Sequence, residues 1–289
     1  MKPPLFEYLR PSSLEEAITA RAANDYTAVL AGGQSLIPTM NFRIANPTVL
    51  IDISRIESLK KYSIEENEVI IGAMVRQRDI ELSNSIFVVN PLIRETLEHV
   101  AHVPIRSRGT VAGSLAHADA AAELPALLLA TGGSVVAKNI SGSRVIEANS
   151  LFQFHMTTTL SHDEIITEVR IPSLKPGSGW AFKEFTRRHG DYAIAGIAVI
   201  INMSSEGLCE DISLAACGIA ARALRLETSE EILRGTNLDN GLIKEAAMSA
   251  TEYVTAADDT HASTQFRKHV LMTLLQRAIA TAKSRTSKV

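Results

Sequence analysis

Two stretches of small residues carry the chemistry in this chain of 289 residues. The first is Val29-Leu30-Ala31-Gly32-Gly33-Gln34-Ser35-Leu36. The second runs Thr110-Val111-Ala112-Gly113-Ser114-Leu115-Ala116-His117-Ala118-Asp119 and leads on to Glu123. Neither places a bulky side chain where the backbone must turn, so backbone N–H groups can come close to an anion. Two such loops, separated by a strand-and-helix segment, offer donors on two sides, as a diphosphate requires. The pattern therefore points to a dinucleotide cofactor. It is not the Rossmann G-x-G-x-x-G pattern, because Gln34-Ser35-Leu36-Ile37-Pro38 follows the glycine pair with no third glycine. Taken alone, Gly32-Gly33 reads first as a tight turn after a strand. The second loop, which also precedes an apolar helix, shifts the reading to a cradle.

The hydroxyls of Ser35, Thr110 and Ser114 add donors of the kind that make charge-assisted contacts. Asp119 and Glu123 are the acids nearest the second loop, and carboxylates can hold hydroxyl groups without competing for the diphosphate donors. Glu123 also opens the helix Leu124–Ala130, where a negative charge suits the positive end of the helix dipole with or without a ligand. Both readings of Glu123 stand at this level. His117 either closes over the cofactor or caps the loop.

Three regions must position these residues. Residues 1–56 read as a small α/β unit: an extended Phe6–Leu9, a helix over Ser12–Asn24 with a capping box at Ser12/Glu15 or Ser13/Glu16, and strands Thr27–Ala31 and Val49–Ile53 around the first loop. Pro38 fits the first turn of a short helix, where its missing N–H costs little. Residues 57–175 read as a second α/β unit, with strands Val69–Ala73, Ser134–Lys138, Val145–Glu147 and Glu164–Ile171 and helices Arg76–Leu82, Pro91–Val100 and Glu123–Ala130. Pro172 to Gly179 is a Pro/Gly-rich boundary. Residues 176–289 begin with three β-rich runs, Trp180–Arg187, Ala193–Met203 and Asp211–Cys217, spaced like an antiparallel meander. Helices follow at Ser229–Leu233, Leu242–Glu252 and Gln265–Ser284, and a frayed tail is expected over Lys283–Lys288. The order suggests an α+β fold.

The formal net charge of −3 gives no basic patch for nucleic acid. The longest apolar runs, such as Ala193–Met203, are far shorter than a membrane span and read as buried strands. The start Met1-Lys2-Pro3-Pro4 lacks the apolar region of a signal peptide. The two cysteines, Cys209 and Cys217, cannot build a four-cysteine iron–sulfur cluster, and read as buried small hydrophobes. His99 and His102, without a third ligand, read as structural rather than as a metal site. The clusters Arg106/Arg108 and Arg187/Arg188/His189 read as solvated or subunit-facing charge.

Five blocks in order then carry a resemblance over nearly the whole chain. They are Phe6-Glu7-Tyr8 with Pro11-Ser12-Ser13-Leu14-Glu15-Glu16-Ala17, the first loop, Leu50-Ile51-Asp52-Ile53, Ile105-Arg106-Ser107-Arg108-Gly109 running into the second loop, and Arg187-Arg188-His189-Gly190-Asp191-Tyr192-Ala193. They resemble the FAD-carrying medium subunit of molybdenum hydroxylases, a family that includes the carbon monoxide dehydrogenase, quinoline oxidoreductase and nicotine dehydrogenase medium subunits and the xanthine dehydrogenase FAD domain. The resemblance implies a two-subdomain FAD-binding fold of the vanillyl-alcohol-oxidase/PCMH type. A C-terminal α+β domain with a three-stranded antiparallel sheet follows it.

The resemblance also assigns roles. The FAD diphosphate lies against Gly32–Leu36 and Ala112–Ser114, with Val29–Ala31 leading in. The family has Gly and Asn where this chain has Ala112 and Ser114. Glu123 is placed on a ribityl hydroxyl, Val100 on the adenine side and Ile166 against the ring. Lys183 is a cation near the ring, and Tyr192 guards its face. The 2Fe-2S clusters and molybdopterin are implied on a small and a large partner subunit, in a dimer of heterotrimers in the cytoplasm. FAD would pass their electrons to an external acceptor. Two other readings stand beside this one: a self-sufficient FAD oxidoreductase of the same fold, and a flavin-free scaffold subunit.

Overall fold

The computed structural model describes residues 1–286. The chain opens with β1 (Glu7–Leu9), α1 (Leu14–Ala22), β2 (Thr27–Leu30), α2 (Leu36–Asn41) and β3 (Val49–Asp52). The strands form a parallel sheet in the order β1-β3-β2. All four residues of the central strand β3 are buried, which is why Val-Leu-Ile-Asp reads as a continuous run rather than an alternation. At α1 the cap is Ser13 with Glu16, and Glu15 takes no part. Ser13 Oγ accepts Glu16 N–H at 3.1 Å, while Glu16 Oε2 reaches back to Ser12 N–H at 2.8 Å.

The second unit runs β4 (Tyr62–Glu65), β5 (Glu68–Gly72), α3 (Gln77–Leu82), α4 (Asn84–Val89), α5 (Pro91–His99), α6 (Val103–Arg106), α7 (Val111–His117), α8 (Glu123–Thr131), β6 (Ser134–Asn139), β7 (Gly142–Glu147), α9 (Ala148–Leu151), the small hairpin β8 (Phe152–Phe154)/β9 (Thr157–Thr158), and β10 (Ile165–Pro172). Its five strands pair antiparallel in the order β4-β5-β10-β6-β7. The edge strand β4, helices α4, α6, α7 and α9, and the β8/β9 hairpin go beyond the elements the sequence pattern predicts.

Helix α7 changes the picture most, because the second "loop" is helical over Val111–His117. Thr110 Oγ1 accepts Gly113 N–H at 3.0 Å and caps the helix; Ala118, at φ 50°, ends it. Ala112 is therefore helical, and the family's glycine is not needed for a left-handed backbone there. The next helix, α8, is apolar on every side and buried along Glu123–Ala130, as a helix in the centre of a molecule must be.

The last unit holds β11 (Gly179–Phe185), β12 (Ala195–Met203), β13 (Cys209–Cys217) and a two-residue edge strand β14 (Leu224–Arg225), antiparallel in that order. Helices α10 (Glu227–Leu233), α11 (Asn240–Ser249) and α12 (Thr264–Arg285) follow. Of the tail expected to fray, Lys283–Arg285 continue α12, and 287–288 lie outside the described residues.

β12 is sandwiched. Ala198 and Ile200 join a core with α8 and the second sheet, while Ile197, Val199 and Ile201 join another with α11 and α12. That double burial explains the unbroken apolar run. Ser213 Oγ donates to Ala130 O at 2.5 Å and Arg225 to Leu129 O at 3.3 Å, so the third sheet closes the exposed carbonyls at the end of α8. Cys209 and Cys217 are free and buried.

Candidate cofactor site

The N-termini of α2 and α7 open onto one cavity of about 580 Å³, a volume suited to a cofactor. Gly33–Leu36 line one wall, and among the described residues their N–H groups donate to no backbone carbonyl. Thr110, Ala112, Gly113 and Ser114 line the facing wall. The two walls touch: a Cβ on Gly32 would sit 2.4 Å from Arg108 O and 2.7 Å from Gly109 Cα. Gly33 holds φ +73°, which any side chain would strain. The glycines are thus required twice, for close approach and for the turn.

Val29 and Ala31 also line the cavity, as do Val100, His117, Asp119, Glu123, Ile166 and Tyr192. β10 carries a bulge between Ile166 and Glu168, and Ile165 and Ile166 both reach the cavity there. Tyr192 is 63 % exposed and stands at the mouth. Asp119 Oδ1 is occupied by Ala121 N–H at 2.9 Å, leaving its other oxygen. Burial pushes the His117 imidazole below its usual pKa.

Glu123 is 6 % exposed, and the one hydrogen bond to its carboxyl among the described residues comes from its own backbone N–H. Burial first, and then the charge of Glu184, raise it from 4.5 to about 8. At neutral pH it is a protonated acid able to donate as well as accept. Gln77 Oε1 is an unspent polar atom: buried, without a partner, on a residue that lines the same cavity. On the α7 side Gly113 N–H is spent on Thr110 Oγ1 and Ser114 N–H on Thr110 O, which leaves Ala112 N–H to face the free donors of Gly33–Leu36. These donors, a protonated acid and an orphaned amide oxygen match a molecule with a diphosphate and hydroxyls. The residues present fit FAD.

Four of the expected residues do not line this cavity. Val111 and Ala118 are buried as the first residue and the C-cap of α7, and Leu30 turns to the far side of its loop. Lys183 is the substantive correction. Along β11, Phe182 and Glu184 share one face and Lys183 takes the other, so its ammonium lies 3.9 Å from Glu95 Oε1 at the sheet edge. The neighbouring Glu184 instead meets His99 Nδ1 at 3.2 Å.

His99 and His102 have separate partners: His99 rests on Phe182 and His102 meets the edge of His189. Arg106 is not solvated. It is buried and holds Glu81 through Nε at 2.7 Å and Nη2 at 3.0 Å. The wall made by Leu160, Ser161, His162 and Glu164 was missed, because it is an ordinary polar loop that only the β9–β10 connection brings to the site. Arg21 was missed too; it lines the cavity and donates to Glu164 O at 2.9 Å, joining the first unit to the second.

Fold and cradle together define a flavoprotein of the two-subdomain FAD-binding type. Residues 4–174 match the family model described as the FAD binding domain in molybdopterin dehydrogenase, and residues 180–282 match the CO dehydrogenase flavoprotein C-terminal domain. The chain belongs to this family of flavoproteins of molybdenum-containing dehydrogenases, and is an FAD-binding oxidoreductase subunit.

It is 39 % identical over 283 residues to the 6-hydroxypseudooxynicotine dehydrogenase complex subunit alpha of Paenarthrobacter nicotinovorans, covering 98 % of this chain and 96 % of that one. It is 33 % identical over 286 residues to the carbon monoxide dehydrogenase medium chain of Hydrogenophaga pseudoflava, covering 99 % of each. Among solved structures, quinoline 2-oxidoreductase from Pseudomonas putida 86 superposes with a TM-score of 0.93 at 33 % identity, over 98 % of this chain and 99 % of that one.

Proposed function

We propose that this chain is the electron-exit subunit of a multi-subunit molybdenum hydroxylase. In this reading a small partner carries the 2Fe-2S clusters, a large partner carries molybdopterin and oxidises the substrate, and the three form a doubled heterotrimer in the cytoplasm. The observation that carries the reading is the convergence of α2 and α7 on one cavity that also holds the protonated Glu123. The two cysteines leave the iron–sulfur clusters to another chain. Relatives named as a complex subunit and a medium chain support partners of this kind. No helix among the described residues is long and apolar enough to cross a membrane.

FAD, when bound, supplies a centre that takes up electrons singly and gives them up in pairs. The chain's residues bind, orient and shield. The N–H groups of Gly33–Leu36 would hold the diphosphate from one side and Ala112 N–H at the start of α7 from the other. Glu123, neutral at pH 7, exchanges hydrogen bonds with a hydroxyl without adding a negative charge near the diphosphate. Val100, Ile165 and Ile166 keep water from the inner wall. Tyr192 stands where an acceptor must enter. No acid–base pair for substrate chemistry is required of this chain.

The visible absorption spectrum of the purified chain, followed by identification of any chromophore released by heat, tests the reading. Flavin bands with FAD released are expected. A colourless chain that fails to take up added FAD would overturn it. Gly33→Val should abolish retention, because Gly33 needs φ +73° and its Cβ would meet Leu30 Cδ1 at 3.1 Å. Unchanged flavin content in that variant would favour a scaffold in which the loop is only a turn.

A further inference from the structure

A second cavity, of about 620 Å³, lies on the opposite side of the first cradle loop. Arg10, Arg76 and Arg108 line it, with Asp52 as the one carboxylate. Asp52 is already spent: it accepts the Tyr8 hydroxyl and Ser54 N–H at 2.8 Å, and forms an ion pair with Arg10 Nε at 3.5 Å. Arg76 and Arg108 have no carboxylate within ion-pair distance among the described residues. Guanidinium groups without acids repel and fan apart in water. Here Arg76 Nη1 donates to the backbone carbonyl of Arg108, which holds the Arg76 cation beside that residue. Burial and then the Arg108 charge depress the Arg76 pKa, against the smaller opposing charges of Asp79 and Asp52, so the two cations do feel each other. Arg76 spends one donor in this contact and Arg108 spends none from its side chain. A planar fork of donors in excess suits a multiply charged oxyanion, and several cations around one cavity favour the higher charge of a phosphate.

We propose that this second cavity binds a small phosphate-bearing anion, held by Arg76 and Arg108 with Arg10 at the rim. Ala31, Gly32, Gly33 and Gln34 line this cavity and the cofactor cavity alike, so one stretch of backbone separates the two. An occupant on one side fixes the wall that the other ligand uses, and by linkage each changes the other's affinity by the same factor. This coupling, though not the anion site itself, rests on the flavin reading above.

Inorganic pyrophosphate titrated by calorimetry into the FAD-loaded full chain at constant ionic strength tests the site. Saturable one-to-one binding is expected. Arg108→Gln should weaken it by about tenfold, the loss of a charge-assisted contact. That variant should keep its FAD, since Arg108 does not line the cofactor cavity. Arg234→Gln, an exposed arginine of the C-terminal unit, should bind as the parent does. Three results would overturn the proposal: no saturation, an equal loss in both variants, or binding only after FAD is removed, which would put the probe in the diphosphate cradle. Tighter Arg108-dependent binding of a polyglutamate peptide would replace the small ligand with a docked acidic segment. A chain that takes no FAD yet binds pyrophosphate through Arg108 would keep this site and remove the flavin reading.

Discussion

Gly32 has no room for a methyl group. The obstacles, Arg108 O at 2.4 Å and Gly109 Cα at 2.7 Å, are both backbone and cannot swing aside. Gly32→Ala must push the two halves of the cradle apart, costing about 1–3 kcal/mol as overpacking does. The expected result is a lower urea midpoint together with a drop in the FAD-to-protein ratio. Loss of stability with full flavin content would mean the loops touch without forming a cradle. At Glu123 the folded state holds a proton that the unfolded chain releases, because its pKa rises from 4.5 to about 8. Its contribution to stability is complete below pH 4.5 and is lost as pH rises through 8, at up to about 1.4 kcal/mol per pH unit. Glu123→Gln should flatten the urea-midpoint profile of the flavin-free chain between pH 5 and 9. A variant that keeps the parent's slope would place that titration elsewhere.

At the scale of elements, the cradle depends on how its helices begin. Thr110 does two jobs with adjacent atoms: its hydroxyl caps α7 through Gly113 N–H, and its backbone carbonyl takes Gln77 Nε2 at 3.4 Å. Thr110→Ala removes only the cap and should cost about 1 kcal/mol in chemical denaturation; Thr110→Ser should recover most of it. A full loss in the serine variant would mean that the methyl group, not the cap, matters. The small-residue character of both loops was legible because close backbone approach permits few residue types. The helical state of Val111–His117 was not, because Val-Ala-Gly-Ser is a weak helix sequence whose start is decided by one capping hydroxyl. Lys183 shows a different limit. Sequence likeness located it on β11, but which face it takes depends on strand parity, set by the packing of Phe182 and Glu184.

Across the whole molecule, the inner face of the C-terminal sheet and the flavin-binding sheets share one core. Phe182, Ala198, Ile200 and Cys217 belong to the same cluster as Leu127, Val135 and Val169. Glu95 of α5 adds a polar clamp: it accepts Phe182 N–H at 3.1 Å and pairs with Arg285 of α12. Separate melting of the two family domains is not expected. The single tryptophan, Trp180, lies in the C-terminal sheet, so its fluorescence reports on that unit while far-ultraviolet circular dichroism reports on the whole. The two thermal transitions should coincide. A fluorescence transition displaced by several degrees would show that the shared core does not couple the units.

The sequence by itself determined the features that depend on local chemistry: the two small-residue stretches, a helix start at Ser12 or Ser13, the buried character of β12, and the lack of cysteines for a cluster. Each is written in residue types because neighbours in the chain create the constraint. Only the tertiary structure decided which long-range partners meet. It turned Arg106 inward onto Glu81 and brought the Ser161–Glu164 loop to the cavity. It also buried Glu123 beside Glu184, so that a helix-opening acid keeps its proton at neutral pH. Desolvation and charge proximity are properties of a packed interior, and residues distant in the chain supply them.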